Sequence, residues 1–119
     1  VVAYIDPELR ERAFGVFEGL TREQCETLHP AAWGAWVESR RPPSGGEPHD
    51  TLTARVLAAL GRVAERVATA EAPALVVTHG GALRAMVAAA TGAVPPPVAN
   101  GAVWKLVWEG RVVAAEPEP

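Results

Sequence analysis

The sequence predicts an α/β fold in which helices flank a mostly parallel sheet. Residues 50–69 form an amphipathic pattern, with apolar side chains recurring at three- and four-residue steps. Residues 74–78 (ALVVT) follow as a continuous apolar run, which is typical of a strand covered on both faces. A glycine turn and a second helical pattern over residues 82–91 come next. This order of helix, buried strand, turn and helix is that of a layered α/β protein.

Two further helices are expected in the N-terminal half. Residues 1–5 are β-branched and aromatic and predict a short strand, and the glycine-containing residues 6–20 predict a structured loop. Thr21 with Gln24 three positions later is the pattern of a capping box and predicts a helix start. A second short helix is expected over residues 31–37.

Turn signals separate the remaining segments. Residues 40–48 (RRPPSGGEP) form a Pro/Gly loop of the kind found at functional surfaces. Gly92 is expected to close the last helix. Residues 102–108 and 112–115 predict two strands of a hairpin that turns at Glu109-Gly110.

Length and charge limit the possible functions. The chain of 119 residues is enough for one hydrophobic core, so we predict a single domain over residues 1–115 and a frayed tail over 116–119. The net charge of −3 predicts no nucleic-acid partner, and no apolar run approaches the roughly 18 residues that a membrane helix needs. The only cysteine, Cys25, has no partner for an intrachain disulfide, which predicts a cytoplasmic protein.

The strongest site signal is His79-Gly80-Gly81, at the end of the predicted buried strand. In open α/β sheets ligands bind beyond the carboxyl ends of strands, where helix N-termini present free N–H groups. The two glycines let the backbone approach a ligand, and the helix dipole favours an anion. We therefore predict a phosphate site in which His79 adds charge and a donor. The alternative is a histidine satisfied by a backbone carbonyl beside a tight turn.

A second signal lies in residues 9–20 (LRERAFGVFEGL), where Glu11 stands between Arg10 and Arg12. A carboxyl group beside an apolar wall can act as a proton donor, and a guanidinium can hold a phosphate oxygen in a fork. The alternative is a solvated charged loop whose phenylalanines pack into the core.

Together these segments resemble the histidine phosphatase superfamily, which includes cofactor-dependent phosphoglycerate mutases and broad-specificity phosphatases. Residues 9–19 are similar to the family's middle motif, with Phe17 where tryptophan is common. Residues 42–48 (PPSGGEP) resemble its loop-to-helix motif, and residues 77–84 (VTHGGALR) resemble its final histidine motif. With Asn100-Gly101 before the last hairpin, four motifs stand in the family's order over essentially the whole chain.

The resemblance implies a phosphomonoesterase acting on a phosphorylated small molecule, or alternatively a phosphoglycerate mutase. Glu11 would then protonate the leaving-group oxygen, and His79 would stabilise charge on the transferring phosphoryl group. Arg12 and the Gly80 amide are expected to bind substrate. No metal and no other cofactor is expected, because the three histidines lack ligand spacing. Glu47 and Arg55 are expected to be structural residues that hold the Pro/Gly loop to the long helix predicted over residues 50–69.

One family motif does not occur in the sequence: the Arg-His-Gly that ends the first, central strand and carries the nucleophilic histidine. We expect it upstream of Val1, together with a later arginine motif. The resemblance thus implies a phosphoglycerate-mutase-like layered fold whose first central strand is missing, leaving residues 74–78 as an unpaired apolar edge. We predict a chain that is unstable, homodimeric, strand-swapped or completed by another chain. An active enzyme, a phosphate-binding fragment without turnover and a structural module all stay open.

Overall fold

The computed structural model describes residues 2–119, which form helices and one hairpin. In chain order the elements are α1 Arg22–Leu28, α2 Pro30–Ser39, α3 His49–Val67, α4 Gly80–Thr91, β1 Trp104–Trp108 and β2 Val112–Pro117. Two short 3-10 turns, Pro7–Leu9 and Gly15–Phe17, lie within the predicted N-terminal loop. Over residues 2–119, no helix combines the length and apolarity that crossing a bilayer requires.

The sequence predicted one domain, and the structure divides the chain into two compact units. The large unit contains the N-terminal residues up to Glu11 together with Leu52–Pro119, and the small unit is Arg12–Thr51. Each unit has its own apolar contacts.

The core of the large unit forms between α3, α4 and the hairpin. The apolar stripe predicted for α3 is confirmed, since Leu52, Val56 and Leu60 are buried. The other buried members of this cluster come from α4 and β2: Ala82, Ala85, Met86 and Val112. Gly92 ends α4 as predicted, with a left-handed φ of 78° that favours glycine.

The two predicted strands before the hairpin are not strands in the structure. Residues 2–6 and 74–79 carry no regular secondary structure, and Val1 lies outside the described residues. Burial of residues 74–78 on both faces is a wrong prediction: Val76 packs against the core, whereas Leu75 and Val77 are 84% and 81% exposed. A strand needs a neighbour to pair its N–H and C=O groups. Between residues 2 and 119 the only sheet is the antiparallel pair β1–β2, so the parallel sheet is not found there.

The predicted hairpin is confirmed and extends further than expected. β1 and β2 are antiparallel, with a register irregularity between Val107 and Trp108. Pro117 pairs with Trp104, and the Glu118 N–H donates to the Val103 carbonyl oxygen at 2.8 Å. Pairing therefore continues past residue 115, where the sequence predicted the strand to end.

The N-terminal segment is fastened to α3 by its side chains. Asp6 accepts hydrogen bonds from the Arg62 guanidinium at 3.0 and 3.2 Å, and the Arg66 guanidinium lies 3.9 Å from the centre of the Tyr4 ring. The hydrogen bond from Arg62 lowers the pKa of the Asp6 carboxyl group. The segment that leads into the Glu11 loop thus has defined contacts on α3.

The small unit begins its helices where the sequence predicted. The Thr21 hydroxyl accepts from the Gln24 N–H at 3.1 Å, and the Gln24 side-chain oxygen accepts from the Thr21 N–H at 2.9 Å, so the capping box is confirmed. Its interior is aromatic. Buried Phe17 meets Trp33 edge-on with ring centres 5.3 Å apart, and Phe14 meets Trp36 in the same manner at 5.7 Å.

Candidate active site

The backbone around Glu11 is fastened to α3 by the side chain of Arg55. Arg55 is only 8% exposed. Its Nη1 donates to the carbonyl oxygens of Glu8 at 2.7 Å and Arg10 at 2.8 Å, and its Nη2 donates to that of Glu11 at 3.2 Å. The planar guanidinium can serve all three carbonyls because its donors diverge in a fixed fork. The backbone at Glu11 and just before it is therefore held by one buried cation.

Two contacts fasten the same loop to the segment that carries His79. The Thr78 hydroxyl donates to the Leu9 carbonyl oxygen at 2.6 Å. The Gly81 N–H donates to Oε2 of Glu11 at 2.9 Å. The Glu11 carboxylate thus lies at the first turn of α4, where the helix dipole favours a negative charge.

Gly81 makes room for the Glu11 side chain. A Cβ atom at position 81 would lie 2.5 Å from Oε1 of Glu11, closer than real contacts allow. At Gly80 the same atom would lie 3.5 Å from a methyl group of Val98, which is an ordinary contact. The sequence predicted that both glycines allow a ligand to approach, whereas the second glycine makes room for the Glu11 carboxylate.

Gly81→Ala is therefore expected to displace the Glu11 carboxylate and to lower the free energy of unfolding by about 1–2 kcal/mol, the cost of a lost charged hydrogen bond and a steric shift. Gly80→Ala is the matched control and should be neutral or slightly stabilising, because alanine is the better helix former. Urea unfolding of both variants measures the difference. If both variants change the free energy of unfolding by the same amount, the contact of Glu11 with α4 does not contribute to stability.

His79 precedes α4 as its N-cap residue, with extended backbone angles of φ −125° and ψ 161°. Its carbonyl oxygen accepts from the Leu83 N–H at 2.9 Å. The side chain is exposed and makes no capping hydrogen bond. The structure therefore brings the predicted acid and the predicted second histidine to the same turn, since Glu11 contacts Gly81 two positions after His79.

Arg12, the first residue of the small unit, has partners there. Its Nη2 donates to the Glu47 carbonyl oxygen at 2.9 Å, and its guanidinium lies 5.0 Å from the centre of the Trp36 ring. Glu47 is buried, and its N–H donates to the Ala13 carbonyl oxygen at 2.8 Å. These contacts hold the Pro/Gly loop to the segment after Glu11. The substrate-binding roles of Arg12 and of the Gly80 amide stay predictions.

The arrangement pairs a proton-donor group with groups that suit an anion. Glu11 supplies a carboxyl group, the N-terminus of α4 supplies backbone N–H donors and the positive end of its dipole, and the imidazole ring of His79 lies just before that turn. Among residues 2–119 no three histidine, cysteine, aspartate or glutamate side chains are placed to share a metal ion. The contacts of Thr78 with Leu9 and of Gly81 with Glu11 could not be predicted from the sequence, because no spacing pattern signals contacts between residues so distant in the chain.

Sequence comparison places these features in a known family. The model of the histidine phosphatase superfamily (branch 1) matches residues 1–114. The metal-independent phosphoserine phosphatase of Arabidopsis thaliana is 36% identical over 83 residues, which cover 67% of this chain and 34% of that protein. Phosphoglycerate mutase-like protein 4 of the same plant is 34% identical over 84 residues, covering 68% of this chain and 36% of that protein. The chain spans about a third of the length of these two relatives.

Structural comparison agrees with the sequence. The native structure of a mycobacterial glucosyl-3-phosphoglycerate phosphatase is similar with a TM-score of 0.72 and 27% identity, over 99% of this chain and 64% of that one. The enzyme of that name from Mycobacterium tuberculosis is 34% identical over 99 residues, covering 75% of this chain and 43% of that protein. The arrangement of helices and hairpin is that of a histidine phosphatase, and the chain belongs to the histidine phosphatase superfamily.

Proposed function

We propose that this chain is the C-terminal part of a phosphatase that hydrolyses phosphomonoesters through a phosphohistidine, with the nucleophilic histidine supplied from outside these residues. The observation that carries the proposal is the 2.9 Å hydrogen bond from the Gly81 N–H to the Glu11 carboxylate, which holds a proton donor at the turn after His79. Relatives named as phosphoserine and glucosyl-3-phosphoglycerate phosphatases favour hydrolysis of a phosphorylated small molecule.

Glu11 is the general acid in this proposal. The nucleophilic histidine nitrogen forms a P–N bond while the ester P–O bond breaks, and Glu11 gives its proton to the leaving oxygen so that a neutral alcohol departs. Oε2 keeps its bond from the Gly81 amide, and Oε1 carries the proton. Water then attacks the phosphohistidine and returns a proton to Glu11. The contacts of Arg55 hold the backbone that aims the carboxyl group.

His79 stabilises the transferring phosphoryl group. Its imidazolium and the N-terminus of α4 neutralise charge on the equatorial oxygens, which is the main requirement of phosphoryl transfer. Its exposed side chain is compatible with that role. The Gly80 amide donates to a further phosphate oxygen, and phosphate binding by Arg12, which belongs to the small unit, stays a separate prediction.

We propose further that a strand from the same outside segment pairs with residues 74–78 and completes the parallel sheet. The support is the alternation along this segment: Val76 packs against the core and Thr78 bonds to the Leu9 carbonyl, whereas Leu75 and Val77 are exposed. An apolar edge of this kind invites strand addition. The strand would come from the same polypeptide or from a second molecule, which gives a homodimer or a strand-swapped oligomer.

The test is hydrolysis of p-nitrophenyl phosphate by this chain alone and by a fusion that places a strand ending in Arg-His-Gly before Val1. Only the fusion is expected to turn over substrate. Glu11→Gln in the fusion should lower kcat by about 10²–10⁴-fold, the usual contribution of general acid catalysis. His49→Ala, a change in an exposed histidine outside the family motifs, is the control. A fusion whose rate does not depend on Glu11 would refute the assignment of the acid.

A second candidate function is phosphate binding without turnover, which the exposed His79 side chain at the N-terminus of α4 favours. A ligand that binds only the folded state raises its melting temperature. Inorganic phosphate should then stabilise the chain, and His79→Ala should abolish the stabilisation. Stabilisation without turnover in the fusion supports this function, and the absence of both supports a structural module. The name of phosphoglycerate mutase-like protein 4 keeps a mutase as an alternative, in which a second hydroxyl rather than water accepts the phosphoryl group.

A further inference from the structure

The chain runs back along α4 after that helix ends. Arg84 donates from Nε to the Pro95 carbonyl oxygen at 3.0 Å, which ties the returning segment to the middle of the helix. Further along, a Cβ atom at Gly80 would lie 3.5 Å from Cγ2 of Val98. Positions 80 and 84 are one turn apart on the same face of the helix. Residues 93–98, the returning segment, therefore follow this face from the C-terminal end of α4 to its first turn.

The backbone on both sides of Val98 is restrained. Three consecutive prolines, residues 95–97, come directly before it, and each proline ring fixes its own φ. Directly after it, the Ala102 N–H donates to the Ala99 carbonyl oxygen at 3.1 Å and closes a turn that leads into β1. The Val98 side chain is half-buried. Part of its apolar surface thus packs on α4, and the rest is open to a ligand.

Val98 lies beside the groups assigned to phosphoryl transfer. The amide nitrogen of Gly80 is two bonds of about 1.5 Å from a Cβ atom at that position, which places it within about 6.5 Å of Cγ2 of Val98. The next amide, that of Gly81, holds the Glu11 carboxylate at 2.9 Å, so the proton donor for the leaving oxygen lies at the same turn. A phosphate bound at the Gly80 amide therefore has the Val98 methyl groups within reach of the group esterified to it.

The surface that Val98 presents there distinguishes between leaving groups. A charged group placed against two methyl groups loses hydration and gains no hydrogen-bond partner from them. An aryl or alkyl group in the same place buries apolar surface, which is favourable. One apolar side chain at this position thus favours one chemical class of leaving group over another.

We propose that Val98 is a specificity-determining residue that contacts the leaving group, and that the site prefers phosphomonoesters of aryl or alkyl alcohols to those with a charged group next to the ester oxygen. This inference rests on the proposed function, because it takes the Gly80 amide as a phosphate-binding group. All the residues that define the contact belong to the large unit.

Calorimetric titration of this chain and of the Arg-His-Gly fusion with two ligands tests the inference. Phenylphosphonate carries an aryl group on a P–C bond that a phosphatase does not hydrolyse, and inorganic phosphate lacks that group. Val98→Ser should raise the Kd of phenylphosphonate by about three- to tenfold, because methyl contacts are lost, and should leave the Kd of phosphate unchanged. Val94→Ser is the matched control, since Val94 is a valine of the same returning segment that is 57% exposed.

Comparing the two ligands on each variant separates the inference from the proposed function. His79→Ala should weaken both ligands alike, because it acts on the phosphate group that they share. Phosphonoacetate, with a carboxylate in place of the ring, should bind the unmodified chain more weakly than phenylphosphonate does. If Val98→Ser changes both ligands equally or neither, or if phosphonoacetate binds more tightly, the role of Val98 is refuted while the phosphate site stands. If neither ligand binds the chain or the fusion, the phosphate site and the proposed function are refuted as well.

Discussion

Arg55→Met is expected to lower the free energy of unfolding by about 3 kcal/mol, which is the range for removing a buried charged donor from its partners. Methionine keeps much of the length of the side chain but none of its donors. The carbonyl oxygens of Glu8, Arg10 and Glu11 then lose the guanidinium to which they are bonded at 2.7, 2.8 and 3.2 Å. Urea unfolding, with a midpoint that falls while the slope stays constant, measures the loss.

Arg62→Met on the same helix is the control for this prediction. Arg62 is exposed and bonds to the side chain of Asp6, so its loss should cost much less, because solvated ion pairs add little to stability. If the two variants unfold at the same urea concentration, the hydrogen bonds of Arg55 do not contribute the stability predicted for them. In the active fusion, Arg55→Met should also lower the rate, because the Glu11 backbone is no longer held.

Gly15→Ala is expected to cost about 3–5 kcal/mol, among the largest effects of any single substitution. Gly15 has a left-handed φ of 56°, and a Cβ atom there would clash with the Ser44 carbonyl oxygen and lie 2.5 Å from the Gly46 nitrogen. The two loops are joined at this point, since the Val16 N–H donates to the Ser44 carbonyl oxygen at 3.1 Å. The methyl group cannot fit unless these backbones separate.

Gly19→Ala separates the strain of a left-handed alanine from the clash with the backbone of Ser44 and Gly46. Gly19 also has a left-handed φ, of 78°, but a Cβ atom there would meet nothing within 4 Å among the described residues. Its cost should be about 1–2 kcal/mol, the strain of a left-handed alanine alone. Unfolding followed by the near-UV signal of the tryptophans compares the pair. A Gly15→Ala variant as stable as Gly19→Ala would mean that the two loops can separate without loss.

The helices of this fold are predictable because their signals are local. The capping box of Thr21 and Gln24 fixes the start of α1, and the apolar stripe of α3 fixes which of its faces is buried. The hairpin follows in the same way from two apolar segments around Glu109-Gly110. Each of these features depends on residues only a few positions apart.

The parallel sheet stays a prediction, because pairing depends on a partner strand rather than on the segment itself. Residues 74–78 have the composition of a buried strand, yet composition cannot supply the neighbouring N–H and C=O groups. Leu75 and Val77 are exposed for that reason. The tail from residue 116 was predicted to be frayed, but Pro117 pairs with Trp104 across the hairpin. Here too the composition of the segment does not reveal its pairing partner.

The sequence singled out candidate site residues but not their geometry. The resemblance to a family singled out Glu11 and His79, but nothing in the spacing indicates that Gly81 makes room for the carboxylate. Arg55 was expected to be structural, whereas its three bonds to the backbone of the Glu11 loop appear only in the folded chain.

The attachment of this loop bears on how the protein can diverge. The hydrogen bonds from Arg55, Thr78 and Gly81 all come from the large unit, and the chain leaves that unit directly after Glu11 and re-enters it at Leu52. The residues between them can thus change in length and composition without loosening these anchors. Mutation can then lengthen or shorten the small unit while the hydrogen bonds of Glu11 within the large unit stay in place.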